Sequence, residues 1–288
     1  MAARPPVRAS QPELEAGCSA QTFARLTIAC CTAQVTGNAQ AIEAGRHRDE
    51  HVHQLRVGLR RLRTAVQELA ELDAGIDVRW LPSLTRAFRA LGLGRDRQMV
   101  VASAQRELRA VGAPRLPAQV PGEVPAAVAI LRAAELQEVL MAIAAYALGE
   151  DLPEAQAFPD TPLEAMAPRL ERLHRELRRD AEHFAKLDAQ AQHRVRKRLK
   201  RLRYLAEFAA PLFHGKHAAA YFDRLRPAQD ALGRLNDCAV ALAGFRAAKG
   251  EEPGKWFAIG WFEARRRACV DEAAQALAHA SKARPFWP

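Results

Sequence analysis

Two stretches of this 288-residue chain contain no acid at all: neither Asp nor Glu occurs from 51 to 67, nor from 189 to 206. Other absences narrow the function classes. The five cysteines (Cys18, Cys30, Cys31, Cys238, Cys269) are odd in number and form no CxxC pair. That argues against a disulfide framework or a zinc site, and it fits a reducing cytoplasm. There is no apolar run of the ~18 residues that a membrane span needs. The opening MAARPPVRASQPELE has no apolar segment of a secretory signal. Alternating Val/Ile/Thr/aromatic runs are missing, as are Asn-Gly and Asp-Gly hairpin turns, so strands are not expected. No nucleophile elbow, Walker loop, GxGxxG, or justified Ser/His/Asp or Cys/His pairing is present. Catalysis has no visible carrier, and neither enzyme activity nor a cofactor is expected.

What is there is helix-forming. Ala, Leu, Arg and Glu dominate, and hydrophobic residues make up 49% and charged residues 26% of a chain with net charge +10. This is a globular composition with an attraction to polyanions. Apolar residues recur at three and four: Val52, Leu55, Leu59, Leu62, Val66 and Leu69 mark one face of a helix. The pattern predicts helices over 11–45, 49–73, 79–110 and 124–148, then over 162–186, 188–213, 217–249 and 255–281. Two Pro-rich stretches, APRLPAQVPGEVP (113–125) and GEDLPEAQAFPDTP (149–162), read as loops. The second lies near the middle and is the expected linker between residues 1–150 and 151–288. Four helices on each side predict an all-α fold of two four-helix bundles.

The two acid-free stretches are copies. In HVHQLRVGLRRLR (51–63) and HRVRKRLKRLR (193–203), His53 matches His193, Arg56 matches Arg196 and Arg60 matches Lys200. Arg61, Leu62 and Arg63 match Arg201, Leu202 and Arg203 at the same offset. LGLGRD (91–96) matches LGRLND (232–237) one residue further along. The chain therefore reads as a tandem duplication with pseudo-twofold symmetry. At about 100° per residue, Arg56, Arg60 and Arg63 fall within roughly 80° of His53, beside the apolar stripe. Arg196, Lys197, Lys200 and Arg203 repeat the row beside His193. Like charges four residues apart cost a helix about 0.2–0.5 kcal/mol per pair. Either acids elsewhere in the fold neutralise these rows or a ligand does. Cations about one turn apart, roughly 5–6 Å, suit a chain of closely spaced phosphates.

HxxRVxxRRLR (53–63) resembles the signature of CHAD domains, the conserved-histidine α-helical domains. HxxRKxxKRLRYxxE (193–207) resembles that family's second-half signature, and LGLGRD and QDALGRLND (229–237) resemble its downstream blocks. The resemblance runs from about residue 15 to 281, with Gly94 standing where an apolar residue is expected. It implies two pseudo-symmetric four-helix bundles with a basic surface where they meet. It also implies binding of inorganic polyphosphate and association with polyphosphate granules, with granule proteins as partners and no membrane. CYTH domains often accompany CHAD domains, but no ExExK motif is present, so a stand-alone CHAD protein is expected.

The site expected from these readings comprises His53, Arg56, Arg60, Arg61, Arg63, His193, Arg196, Lys197, Lys200, Arg201 and Arg203. For Arg61 and Arg201 an alternative stands, pairing with acids across the bundle. The histidines read as phosphate ligands, as satisfied interfacial residues or as metal ligands. Asp96 and Asp237 read as partners that orient ridge arginines. Glu171-x-x-His174 is half of a di-iron bundle motif, but its one near partner, Asp180-x-x-His183, shares the helix, so no metal is expected. Trp256, Phe257, Trp261 and Phe262 read as core. The rival reading is a nucleic-acid or general polyanion binder, disfavoured because no nucleic-acid motif is present and few aromatics lie near the ridges in sequence.

Overall fold

The computed structural model describes residues 5–15, 17–114, 125–149, 161–213, 215–248, 250 and 253–288, with the side chains of 93–99 outside that description. The fold is all-α, and no strand occurs among the described residues. In chain order the α-helices are α1 (Ala20–Glu43), α2 (Asp49–Leu69), α3 (Leu81–Ala110), α4 (Ala127–Leu131) and α5 (Ala134–Leu148). They continue with α6 (Pro162–His183), α7 (Ala189–Ala209), α8 (Gly215–Ala247) and α9 (Pro253–Ala280). The expected linker falls at 150–160, and most of the first Pro-rich stretch at 115–124; both lie outside the described residues.

Local chemistry sets the helix ends. The expected helix over 11–45 begins only at Ala20. Gly17 adopts φ 79°, and the Ser19 hydroxyl accepts from the Thr22 N–H at 3.1 Å, capping the first turn. Residues 5–15 instead run as an irregular strap, in which Val7 exchanges two hydrogen bonds with the buried Asn38 amide. The expected helix over 124–148 is broken into α4 and α5 at Arg132 and Ala133. α2 starts with Asp49 and Glu50 in its positive first turn, and the His51 Nδ1 accepts the Arg48 N–H at 3.0 Å. α7 starts with the Asp188 carboxylate accepting from the Ala191 N–H at 2.7 Å.

The principal core draws on both halves of the chain. Phe23, Ile28, Leu55, Leu59 and Leu62 join Leu170, Leu199, Leu202, Tyr221 and Leu277 in one cluster. A second cluster joins Leu108 of α3 to Leu242, Phe245 and Phe262 of α8 and α9. Helices of the two halves pack on one another: α2 on α7, α3 on α8, and α1 on α6. The expected aromatic core at 256–262 needs correction. Phe262 is buried, but Trp256 and Phe257 are 55% and 38% exposed.

The Glu171-x-x-His174 pair anchors the C-terminal segment. Trp287 Nε1 donates to Glu171 at 3.3 Å, and His174 Nδ1 lies 3.0 Å from the Tyr221 hydroxyl and edge-on to Trp287. Asp180 accepts from Arg198 at 2.9 Å. Among the described residues no three His, Cys, Asp or Glu side chains are grouped to hold a metal, and no helix is long and apolar enough to cross a membrane.

Candidate anion-binding site

On α2 the leucines and Val66 face the core, and this stripe fixes the rotation of the helix. The basic row lies on its flank. His53 is exposed, Arg60 and Arg63 are half-buried, and Arg56 is sunk to 7% exposure. A side chain from another helix organises the row. The guanidinium carbons of Arg56, Arg60 and Arg63 lie 5.3, 4.9 and 5.5 Å from the centre of the Phe88 ring on α3. All three are inside cation–π range. Gly92, one turn further along α3, makes room for Arg56, because a Cβ there would lie 2.9 Å from its Nη2. Burial and the charges of Arg89 and Arg60 push Arg63 downward from its ordinary pKa. A guanidinium stays charged regardless, so the shift registers a charge held partly out of water beside two others, a cost that a bound anion would reduce.

On α7 the row is built differently. His193 and Lys197 are exposed, while Arg196, Lys200 and Arg203 are half-buried. Lys200 is pushed down to about 7, by burial first and then by Arg60, Arg196 and Arg203, with Asp237 opposing. Arg60 belongs to the other ridge. The two rows are therefore within electrostatic reach of each other, as the packing of α2 on α7 requires. His193 is pushed below its ordinary value by burial and by Lys197, Arg196 and Lys200, against a hydrogen bond that its ring donates to Asn236. Arg203 lies 4.6 Å over the ring of its neighbour Tyr204 and pairs with Glu207 one turn on. Among the described residues no ion pair is formed by Arg60, Arg63, Lys197 or Lys200. Asp96 lies outside the described side chains. Asp237 acts on Lys200 of the α7 row.

Arg61 and Arg201 are placed apart from the rows, and both pair with an acid of the other helix. Arg61, with a side chain 5% exposed, reaches Glu207 on α7 at 3.7 Å, donates to the Ser10 carbonyl at 2.9 Å and lies 5.3 Å over Phe208. Arg201 pairs with Glu68 on α2, whose side chain is 2% exposed. Burial pushes the Glu207 carboxyl up, and Arg203 and Arg61 hold it down. These reciprocal pairs tie the two ridge helices together. Of the two readings open for Arg61 and Arg201, pairing across the bundle is the one the geometry displays.

The cations that are left form an open row and not an enclosed pocket. The cavity at His193, Arg196, Asn236 and Arg266 has a volume of about 60 Å³, room for a few waters. A larger groove of about 670 Å³ runs between α8 and α9, but its charges are matched, Arg226 with Asp223 and Arg234 with Glu272. The row joining α2 to α7 brings several cations together, and among the described residues Arg60, Arg63, Lys197 and Lys200 of it form no ion pair.

Comparison with known proteins agrees with the architecture. The family model described as the CHAD domain matches residues 27–246. A crystal structure of the CHAD domain from the plant Ricinus communis superposes with a TM-score of 0.74 at 25% identity, covering 95% of this chain and 96% of that one. PptA from Streptomyces chartreusis superposes with a TM-score of 0.63 at 19% identity, covering 91% and 98%. No curated protein matches the sequence.

Proposed function

The chain belongs to the CHAD family, and on that premise we propose that it binds inorganic polyphosphate along the joined rows of α2 and α7. The observation that carries this reading is the meeting of Arg60 and Lys200. They come from opposite halves, and each adds to a positive field that Asp237 opposes without cancelling, since Lys200 is still pushed down to about 7. Such a field is costly in the free protein and is relieved by a polyanion with a charge at every turn of helix. Arginines supply bidentate contacts to phosphate oxygens, and His53, His193, Arg196 and Lys197 extend the row at its ends. Arg61 and Arg201 hold the two helices in register and are not counted among the ligands.

The reading is of a binding protein, not an enzyme, acting in the cytoplasm at polyphosphate granules, where it would coat or tether the polymer. Six phosphate contacts on a flexible polyanion give a log–log salt slope of about −4. The test is competition at near-physiological salt between long-chain polyphosphate, orthophosphate and a DNA duplex of matched charge. The expected result is displacement by polyphosphate alone. Equal displacement by DNA would make the protein a general polyanion binder.

A further inference from the structure

We propose that Phe88 is the positioning residue of this site, a platform that holds Arg56, Arg60 and Arg63 as one preformed fan and makes the α2 row the stronger half. The proposal rests on the polyphosphate reading for its ligand, but its geometry stands by itself. Three guanidiniums at i, i+4 and i+7 of one helix repel each other and would splay into solvent. Here all three lie within 5.5 Å of a single half-buried ring whose π-face attracts cations. The ring belongs to α3, so packing of α3 on α2 fixes where the arginines point before any ligand arrives. Gly92 supports the same arrangement by leaving space for the Arg56 guanidinium.

Among the described contacts the second half shows no ring shared by its row. The offset between LGLGRD and LGRLND places Gln229 where Phe88 stands, and Gly233 where Gly92 stands. Gln229 Nε2 is buried with no hydrogen-bond partner among the described residues, and a Cβ at Gly233 meets nothing within 4 Å. Arg203 turns instead to Tyr204 and Glu207, and Lys200 replaces the arginine at the centre of the row. A preformed guanidinium fan loses less side-chain entropy on gripping phosphate than loose side chains do. Phe88 therefore acts through the arginines and not by touching the polymer.

The experiment compares wild type with Phe88→Leu and Phe88→Tyr. Polyphosphate titrations run at several salt concentrations, beside thermal unfolding and NMR of the arginine Nε–Hε groups. Phe88→Leu is expected to weaken polyphosphate binding by about tenfold, the weight of one or two cation–π contacts. It should also flatten the salt slope by about 1, because each lost contact removes ~0.7. Phe88→Tyr should retain both. The Nε–Hε signals of Arg56, Arg60 and Arg63 should carry ring-current shifts in wild type and Phe88→Tyr, and lose them in Phe88→Leu. A folded Phe88→Leu with unchanged affinity and slope overturns the proposal. So does an equal loss in Phe88→Tyr that tracks its melting temperature. If wild type binds no polyphosphate, the proposed function falls, and the arginine signals still decide whether Phe88 positions the fan.

Discussion

The two ridge helices are copies in sequence and unequal in physics. α2 presents three arginines around an aromatic ring, a row whose charge does not change with pH. α7 presents Arg196, Lys200 and Arg203 with no one ring shared by the three among the described contacts; Arg203 lies over Tyr204 instead. The central lysine of α7 is pushed down to about 7 by burial first and by the neighbouring cations second. Both helices carry basic residues at the same spacing. Divergence at two positions, Lys200 against Arg60 and Gln229 against Phe88, separated a rigid half-site from a titratable one. Neither helix is complete alone, because the acid that holds Arg61 sits on α7 and the acid that holds Arg201 sits on α2.

The cross-links give the largest expected difference. Glu207→Ala leaves Arg61 buried without its carboxylate, which costs roughly 3–5 kcal/mol. Melting should drop by about 10 °C for a chain of this size. Glu68→Ala should cost less, because the side chain of Arg201 is 34% exposed and turns to water. Thermal unfolding of the two variants ranks the links. An equal cost would mean that the two are equally desolvated.

The pH response sharpens the contrast further. The folded-state pKa of Lys200 lies below its unfolded value of ~10.4. The stability it allows at high pH is therefore lost as pH falls from about 10 toward 7. Lys200→Met should raise melting at pH 7 by ~2–4 °C, the equivalent of about 1 kcal/mol. Binding runs the other way, since a polyanion favours the charged lysine. Affinity for polyphosphate should rise as pH falls from about 10 to 7 and then level. His193, held below its ordinary value, should add a second rise below about 6.5. Lys200→Arg should remove the first rise, which titrations across this range would show.

The smallest effects come from the paired glycines. Gly233→Ala opens onto free space in the middle of α8 and should stabilise by up to ~1 kcal/mol with no loss of polyphosphate binding. Gly92→Ala pushes against the Arg56 guanidinium, so it should stabilise less and weaken binding a few-fold. Parallel melting and titration of the two variants would check this.

How much of this was readable beforehand follows from where each signal sits. The rows and their flank position are written within single helices, at spacings of three and four, and the helices over 49–73 and 188–213 follow from the same pattern. The two acid-free stretches end at Glu68 and Glu207, the residues that each helix lends to the other. Their positions were visible, but their targets required the packing of α2 on α7. Phe88 was not found, because it stands 25 residues beyond the row's last arginine and reaches it only through tertiary packing; a lone aromatic between Arg86 and Arg89 was the available hint. The start of α1 was misplaced because apolar spacing outweighed Gly17 and the Ser19 cap. Trp256 and Phe257 were expected in the core, but at the start of α9 they are exposed, with Phe257 stacked on Trp261.

One titration tests the central claim, that the two rows are a single site. Calorimetry with polyphosphate of defined length would compare wild type, Arg60→Ala, Lys200→Ala and the double variant at pH 7. One site spanning both helices predicts the same stoichiometry in all four and a coupling of at least about 0.5 kcal/mol between the two substitutions, as for groups in contact. Additive losses, or a stoichiometry that halves when one row is altered, would mean two separate sites and would contradict the account.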